Sequence, residues 1–94
     1  MTIRWLTSAT RSRFNQLDYI AEDNPTAAAR LDEEIERQTD MLAQHPMMGR
    51  EGRVRGTREL VIIGSPFIVV YRVTKTRIEI LRLLHGARLW PHEL

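Results

Sequence analysis

Between Thr57 and Leu84 the chain carries three short runs rich in β-branched and aromatic residues, with only turn-length separators between them. The runs are Thr57 to Ile63, Phe67 to Val73 and Arg77 to Leu84, and the separators Gly64-Ser65-Pro66 and Thr74-Lys75-Thr76 have hairpin-loop length. Consecutive strands joined by so few residues run antiparallel, because a parallel pair needs a long crossover. The sequence therefore predicts a three-stranded antiparallel meander. A sheet this small needs another layer to bury one of its faces.

Upstream, the spacing supplies that layer as two helices. Phe14, Leu17 and Ile20 recur at the three-residue step with Tyr19 and Ala21 flanking them, while Arg11, Arg13, Asp18 and Glu22 mark the solvent side. Ser8 or Thr10 offers the N-cap. Asp23-Asn24-Pro25 then breaks and restarts the chain, Asn being a preferred cap and Pro a preferred first helical residue. In the second helix Ala28, Leu31, Ile35 and Leu42 share a face, with Gln38 or Thr39 filling the gap, and Arg30 with Glu34 and Glu33 with Arg37 stand at ion-pair spacing. Pro46 ends it. Two helices joined so tightly pack as an antiparallel hairpin. A short strand, Ile3 to Thr7, precedes them and pairs with one of the later three. The expected fold is α+β with order β-α-α-β-β-β, residues 1–94 forming a single domain in which the antiparallel sheet packs on the helical hairpin by one face and leaves the other open.

A domain of 94 residues without cysteine has to hold by packing, with neither disulfides nor thiolate metal ligands. No apolar run approaches the length of a membrane span, and the N-terminal residues lack the apolar stretch of a signal peptide, so no membrane role and a cytoplasmic location are expected. Charge divides along the chain. Residues 1–49 carry five arginines against eight acidic residues, a net −3, whereas residues 50–94 carry nine basic residues against four glutamates, a net +5. All the basic residues but Lys75 are arginine, whose planar fork suits phosphate and carboxylate contacts, although a high-GC codon bias enriches arginine too.

The basic residues occupy regular places on the strands. With a period of two, Arg58 joins Leu60 and Ile62, Arg72 joins Ile68 and Val70, and Arg82 joins Ile80 and Leu84. Arg58, Arg72 and Arg82 could thus converge across neighbouring strands, but a one-residue slip inverts any such assignment. The alternative is that these arginines are solvated or paired with Glu59 and Glu79. The segment Gly49 to Arg58, with Arg50, Arg53 and Arg55 among glycines, reads either as an anion cradle or as plain turn geometry. His85, between Arg82 and Arg88, is a candidate acid or base; a histidine hydrogen-bonded to backbone is the competing reading. Trp90, beyond the last strand, either folds back with the tail over the sheet edge or the groove beside His85, or belongs to a terminus that antitoxin or target orders, which makes it a candidate contact for a target. His45, His85 and His92 have no metal-ligand spacing, and no cofactor motif is present.

The order and spacing of Asp23-Asn24-Pro25, His45-Pro46 with Gly49-Arg50, Arg58-Glu59-Leu60, Tyr71-Arg72-Val73 and Ile80 to His85 followed by Arg88 resemble the RelE/ParE superfamily of bacterial type II toxins over nearly the whole chain. The resemblance implies a β-α-α-β-β-β fold, a growth-arresting activity, and a cognate antitoxin forming a heteromeric toxin–antitoxin complex. It implies one of two targets. ParE-type members inhibit DNA gyrase without catalysis of their own; RelE-type members are metal-free mRNA endonucleases acting on the ribosome. In a RelE-type reading Arg58 and Arg82, with Arg72, would stabilise the crowded phosphate and His85 would act as acid or base, with Glu51 or Glu59 as the other partner. Arg50, Arg53, Arg55, Arg72, Arg88 and Trp90 would meet nucleic acid or another target. The chain departs from typical RelE members, lacking a tyrosine near its end and a lysine cluster after the second helix. Tyr71-Arg72-Val73 and Arg82 to His85 with Arg88 resemble the ParE branch more. A toxin relic or antitoxin-buffered module that binds nucleic acid without activity is the third reading. Under the family reading, an acidic, largely helical antitoxin tail would fold onto the basic sheet face.

Overall fold

The computed structural model describes residues 1–86 of the chain. Strand β1 (Thr2–Trp5) leads into helix α1 (Thr7–Asp23) and helix α2 (Pro25–Asp40), and a 3₁₀ turn (Met41–Ala43) follows. Strands β2 (Arg50–Glu51), β3 (Arg58–Val61), β4 (Phe67–Val73) and β5 (Arg77–His85) complete one sheet of order β1-β5-β4-β3-β2. The expected β-α-α-β-β-β order is present, with the two-residue β2 added inside the segment read as loop. The meander is antiparallel, whereas β1 lies parallel to β5 with Thr2 opposite Arg77 and Trp5 opposite Ile80, so the sheet is mixed. Among the described residues no helix is long and apolar enough to cross a membrane.

The core lies between the helical hairpin and one sheet face. Ala9, Ile35 and Leu42 from the helical side meet Leu60, Ile62, Phe67, Val69, Tyr71, Ile78, Ile80 and Leu83 from the strands. Asn24 caps α2 through its Oδ1, which accepts from the Ala27 N–H at 3.1 Å, and Pro25 follows as expected. Gln38 and Thr39 are buried in the gap of the α2 stripe. The expected i,i+4 pairs are replaced by a bidentate Arg37–Glu34 pair one residue closer.

Helix α1 departs from its expected stripe. Leu17 and Ile20 pack against the core, but Phe14 is 67% and Tyr19 74% exposed, and the fully buried residue is Ala9. The expected cap at Ser8 or Thr10 is not found: the helix starts at Thr7, its N-cap position is Leu6, which has no side-chain acceptor, and Ser8 and Thr10 lie inside the helix. The reason is the short β1. Where β1 ends at Trp5, the outer edge of β5 is left with unpaired backbone, and α1 lies along it. Ser8 Oγ donates to the Leu81 carbonyl at 2.9 Å, the Leu83 N–H donates to Ser12 Oγ at 3.0 Å, and Gln16 Nε2 reaches the Leu83 carbonyl at 3.4 Å. The inward face of α1 is therefore partly a polar stripe at i, i+4 and i+8 that completes the sheet edge.

Candidate functional site

The two sheet faces divide the candidate residues. Tyr71 and Ile80 face the helices, and so does Leu83, because a bulge opposite the Val70–Tyr71 step inserts Leu81 as an extra residue in β5. The strict alternation predicted for β5 breaks there: Ile80 shares the helix-side face with Leu83 and His85, and Arg82 shares the other face with Leu84. Arg58 stands opposite Tyr71 and is on the helix side, while Arg72, opposite Glu79, is on the outer face with Arg82. Arg58, Arg72 and Arg82 consequently do not converge. The bulge and the one-residue parity between Arg58 and Glu59 place them on opposite sides of the sheet.

On the outer face, two buried carboxylates organise the arginines. The Glu59 side chain is 0% exposed and accepts from Arg50 Nη2 at 3.1 Å, from the Arg53 backbone N–H at 2.9 Å and from Arg53 Nε at 3.3 Å. Burial opposes its ionisation, but the Arg53 amide and the two guanidinium groups outweigh burial and hold the carboxyl below its ordinary range. Glu79 accepts from Arg72 Nε at 2.6 Å and from Arg77, and these bonds lower its pKa as well. The pairing of strand arginines with Glu59 and Glu79, the alternative left open by the sequence, is the arrangement found for Arg50, Arg53, Arg72 and Arg77.

The glycine-punctuated segment does bind an anion, and the anion is Glu59. Its amides turn inward: Gly49 N–H donates to Tyr71 Oη at 2.9 Å, Gly52 N–H to the Thr57 carbonyl at 2.8 Å, Arg53 N–H to Glu59, and Thr57 N–H to the Val54 carbonyl at 3.1 Å. Those donors are thus not available as a phosphate cradle. Val54 folds the loop over the outer face, packing with Val70, Leu81 and Leu84, so that face is partly covered rather than open. Arg55 stays exposed beside Gly56.

Below the helices, Tyr71 acts as a fastener. Its buried hydroxyl donates to the Pro46 carbonyl at 2.7 Å while accepting from Gly49, and Arg58 Nη1 donates to the Gly49 carbonyl at 2.6 Å. A Cβ on Gly49 would stand 2.7 Å from the Tyr71 ring and 2.9 Å from the Glu59 carbonyl, so only glycine fits. Arg58 therefore orders the chain entering β2. His85 sets its ring edge-on to Phe67, centroids 5.4 Å apart at 81°, on the side of the sheet opposite Arg82. Arg88 and Trp90 lie outside the described residues, as does His92. Among the described residues no cluster of three or more potential ligands could hold a metal ion.

Sequence reasoning missed three features. Gln38 pairs with both backbone groups of Ile63, its Oε1 accepting at 2.8 Å and its Nε2 donating at 3.1 Å, which extends the outer side of β3 beyond Val61. A lone buried amide in an apolar stripe was the available signal. Arg13 stacks over Trp5 at 4.5 Å and bonds Asp32 and Glu36, tying β1, α1 and α2 together. Finally, Met41, Met48, Val61 and Ile63 form an exposed apolar corner around the outer edge of β3, rimmed by Arg37 and Arg50.

Comparison with known proteins adds the following. The family model of the ParE toxin of type II toxin–antitoxin systems, parDE, matches residues 3–90. The candidate toxin Y4kP of Sinorhizobium fredii is 42% identical over 93 residues, covering 98% of this chain and 95% of that protein. Toxin RelE2 of Caulobacter vibrioides is 36% identical over 72 residues, covering 77% and 80% respectively. Among solved structures, the chromosomal ParDE toxin–antitoxin system from P. aeruginosa superposes with a TM-score of 0.84 at 27% identity, over 92% of this chain and 96% of that one. The RelBE2 toxin–antitoxin complex of Mycobacterium tuberculosis superposes with a TM-score of 0.60 at 25% identity, over 89% and 95%.

Proposed function

Since the chain belongs to the ParE toxin family of type II toxin–antitoxin systems, we propose that it arrests bacterial growth by binding DNA gyrase rather than by cutting RNA, and that a cognate antitoxin neutralises it. One observation carries the choice of mechanism. Metal-free RNA cleavage needs cations and an acid or base around one phosphate, yet Arg58 and His85 face the helical side of the sheet and Arg82 the other. Arg50, Arg53 and Arg72 are already bonded to buried carboxylates. A binding toxin makes no such demand on geometry.

The similarity to toxin RelE2 and to the RelBE2 complex favours a second reading, the ribosome-dependent mRNA endonuclease. Inducible expression in a susceptible bacterium separates the two. The proposal expects loss of viability with an SOS response, filamentation and gyrase-linked DNA breaks. Transcripts cut at translated codons would replace it with the endonuclease, and unimpaired growth would leave a binding module without toxicity.

For the antitoxin, the apolar corner at Met41, Met48, Val61 and Ile63, continuous with the arginine-bearing outer face, suits an acidic segment that orders on contact. Arg4 is an outer-face cation placed to meet such a segment outside the pairs of Glu59 and Glu79, which hold Arg50, Arg72 and Arg77. Arg58, a cation of the RelE-type reading, faces the other side and serves the fold.

A further inference from the structure

The helical hairpin presents a surface that neither the fold nor the antitoxin reading uses. Residues 7–40 carry four arginines against eight acidic residues, a net −4, whereas the other described residues carry nine basic side chains against three glutamates. Between α1 and α2 lies a groove of about 480 Å³ lined by Trp5, Phe14, Leu17, Ala21, Ala28 and Ala29. Its base is fixed: Arg13 lies over Trp5 at 4.5 Å and is held by Asp32 at 2.6 Å and Glu36 at 2.7 Å. Phe14, the aromatic that the helical spacing would send to the core, stands at this groove 67% exposed, with Asp18 one turn further on. A preformed apolar groove beside an unburied aromatic is the usual anatomy of a protein-binding anchor site.

We propose that this groove docks a basic protein segment carrying an apolar anchor, and that the segment belongs to the toxin's target rather than to its antitoxin. Charge decides the occupant. The hairpin that walls the groove carries a net −4, and at the groove itself Asp18 adds an acidic side chain beside the Arg13–Asp32 pair; this charge disfavours nucleic acid, anionic lipid and an acidic antitoxin tail, and attracts a lysine- or arginine-bearing segment. Antitoxin and target would then meet opposite faces of the molecule, and neutralisation would act by blocking the approach of the larger partner or by forcing release, without competition for one set of side chains. The groove itself is argued from geometry alone; only its assignment to the target rests on the growth-arrest reading.

The test uses the full chain and two labelled peptides of equal length, one of leucine and lysine at helical spacing and one with glutamate replacing every lysine. Anisotropy should show binding of the first and none of the second. Phe14→Ser and Ala29→Trp, both at exposed helical positions and neither changing charge, should each weaken binding about tenfold, the effect of losing one anchor contact, while Gln44→Ala leaves it unchanged. In cells, the same two variants should restore colony formation on induction while keeping their melting temperature and their affinity for the cognate antitoxin. Asp18→Lys provides a third variant, which reverses a charge on the groove lining and leaves its apolar walls intact. Peptide binding that answers only to Asp18→Lys would be general charge attraction and would overturn the proposal. So would toxicity unaffected by Phe14→Ser and Ala29→Trp, or loss of antitoxin affinity alongside toxicity, which would give the groove to the antitoxin. If the parent chain itself fails to arrest growth, the growth-arrest reading falls and the assignment to a target falls with it; the peptide titration still decides whether the groove binds.

Discussion

Tyr71 shows how much one side chain can organise. Its ring fills the core while its hydroxyl holds both Pro46 and Gly49, so β4 fixes the path of the chain from the end of the helices into β2. Tyr71→Phe leaves a buried Gly49 N–H and the Pro46 carbonyl without their partner, and urea denaturation should show a loss of about 1–3 kcal/mol. Gly49→Ala should cost a similar amount, about 1–3 kcal/mol, because the Cβ would overlap the Tyr71 ring and the rigid Glu59 carbonyl. Glu59 and Glu79 set the acid limb of stability. Their carboxyls titrate below the ordinary 4.5 in the folded chain, so their contribution is complete above that value and disappears as pH falls through the folded values. Urea midpoints measured from neutrality to about pH 3 should fall steeply for the parent, and Glu59→Gln should lower the neutral value while flattening the acid slope.

At the scale of elements, both short edge strands are finished by helix side chains. The polar stripe of α1 completes β5 where β1 stops, and the Gln38 amide of α2 continues the outer side of β3 at Ile63. Each replaces a missing ladder with side-chain hydrogen bonds, which is why two helices of modest apolar content hold firmly to this sheet. Gln38→Leu keeps the volume and loses both bonds, so amide exchange at Ile63 should accelerate and stability fall by about 1–2 kcal/mol, with the rest of the sheet unchanged. Ser12→Ala should likewise raise exchange at Leu83, since the N–H that donates to Ser12 Oγ would lose its acceptor.

Over the whole molecule, charge separates into an acidic hairpin and a basic sheet, and the sheet is less basic to a visitor than to a count. Glu59 and Glu79 absorb four of its arginines. An antitoxin meeting that face is therefore expected to gain from the apolar corner at Val61 and Ile63 as well as from charge. Arg4→Glu, on the exposed outer face of β1, should weaken the toxin–antitoxin complex and reduce its dependence on salt, read by titration calorimetry at two ionic strengths. Ile63→Ser, at a position 80% exposed, should weaken the same complex with no change in salt dependence. Equal affinity for both variants and the parent would place the antitoxin elsewhere.

The linear sequence determined the meander, the Asn24-Pro25 break, the α2 stripe with its gap at Gln38 and Thr39, and the β-α-α-β-β-β order, because turn chemistry and hydrophobic period are local properties. It also contained the right partners for several arginines, Glu59 and Glu79, but not the preference for them. What it could not decide was the face each strand residue takes. The central runs are apolar on both sides, and a single bulge at Leu81 reverses the parity of everything after it, so that Arg82 parts from Ile80 and joins Arg72 on the outer face while Leu83 and His85 turn to the helical side. The length of β1 had the same kind of remote effect. A strand ending at Trp5 left the edge of β5 to Ser8, Ser12 and Gln16, which turned α1 so that Phe14, apolar by composition and correctly spaced for a core, came to rest outside. Those outcomes depend on which backbone groups remain unpaired once the sheet is assembled, a quantity that exists only in three dimensions.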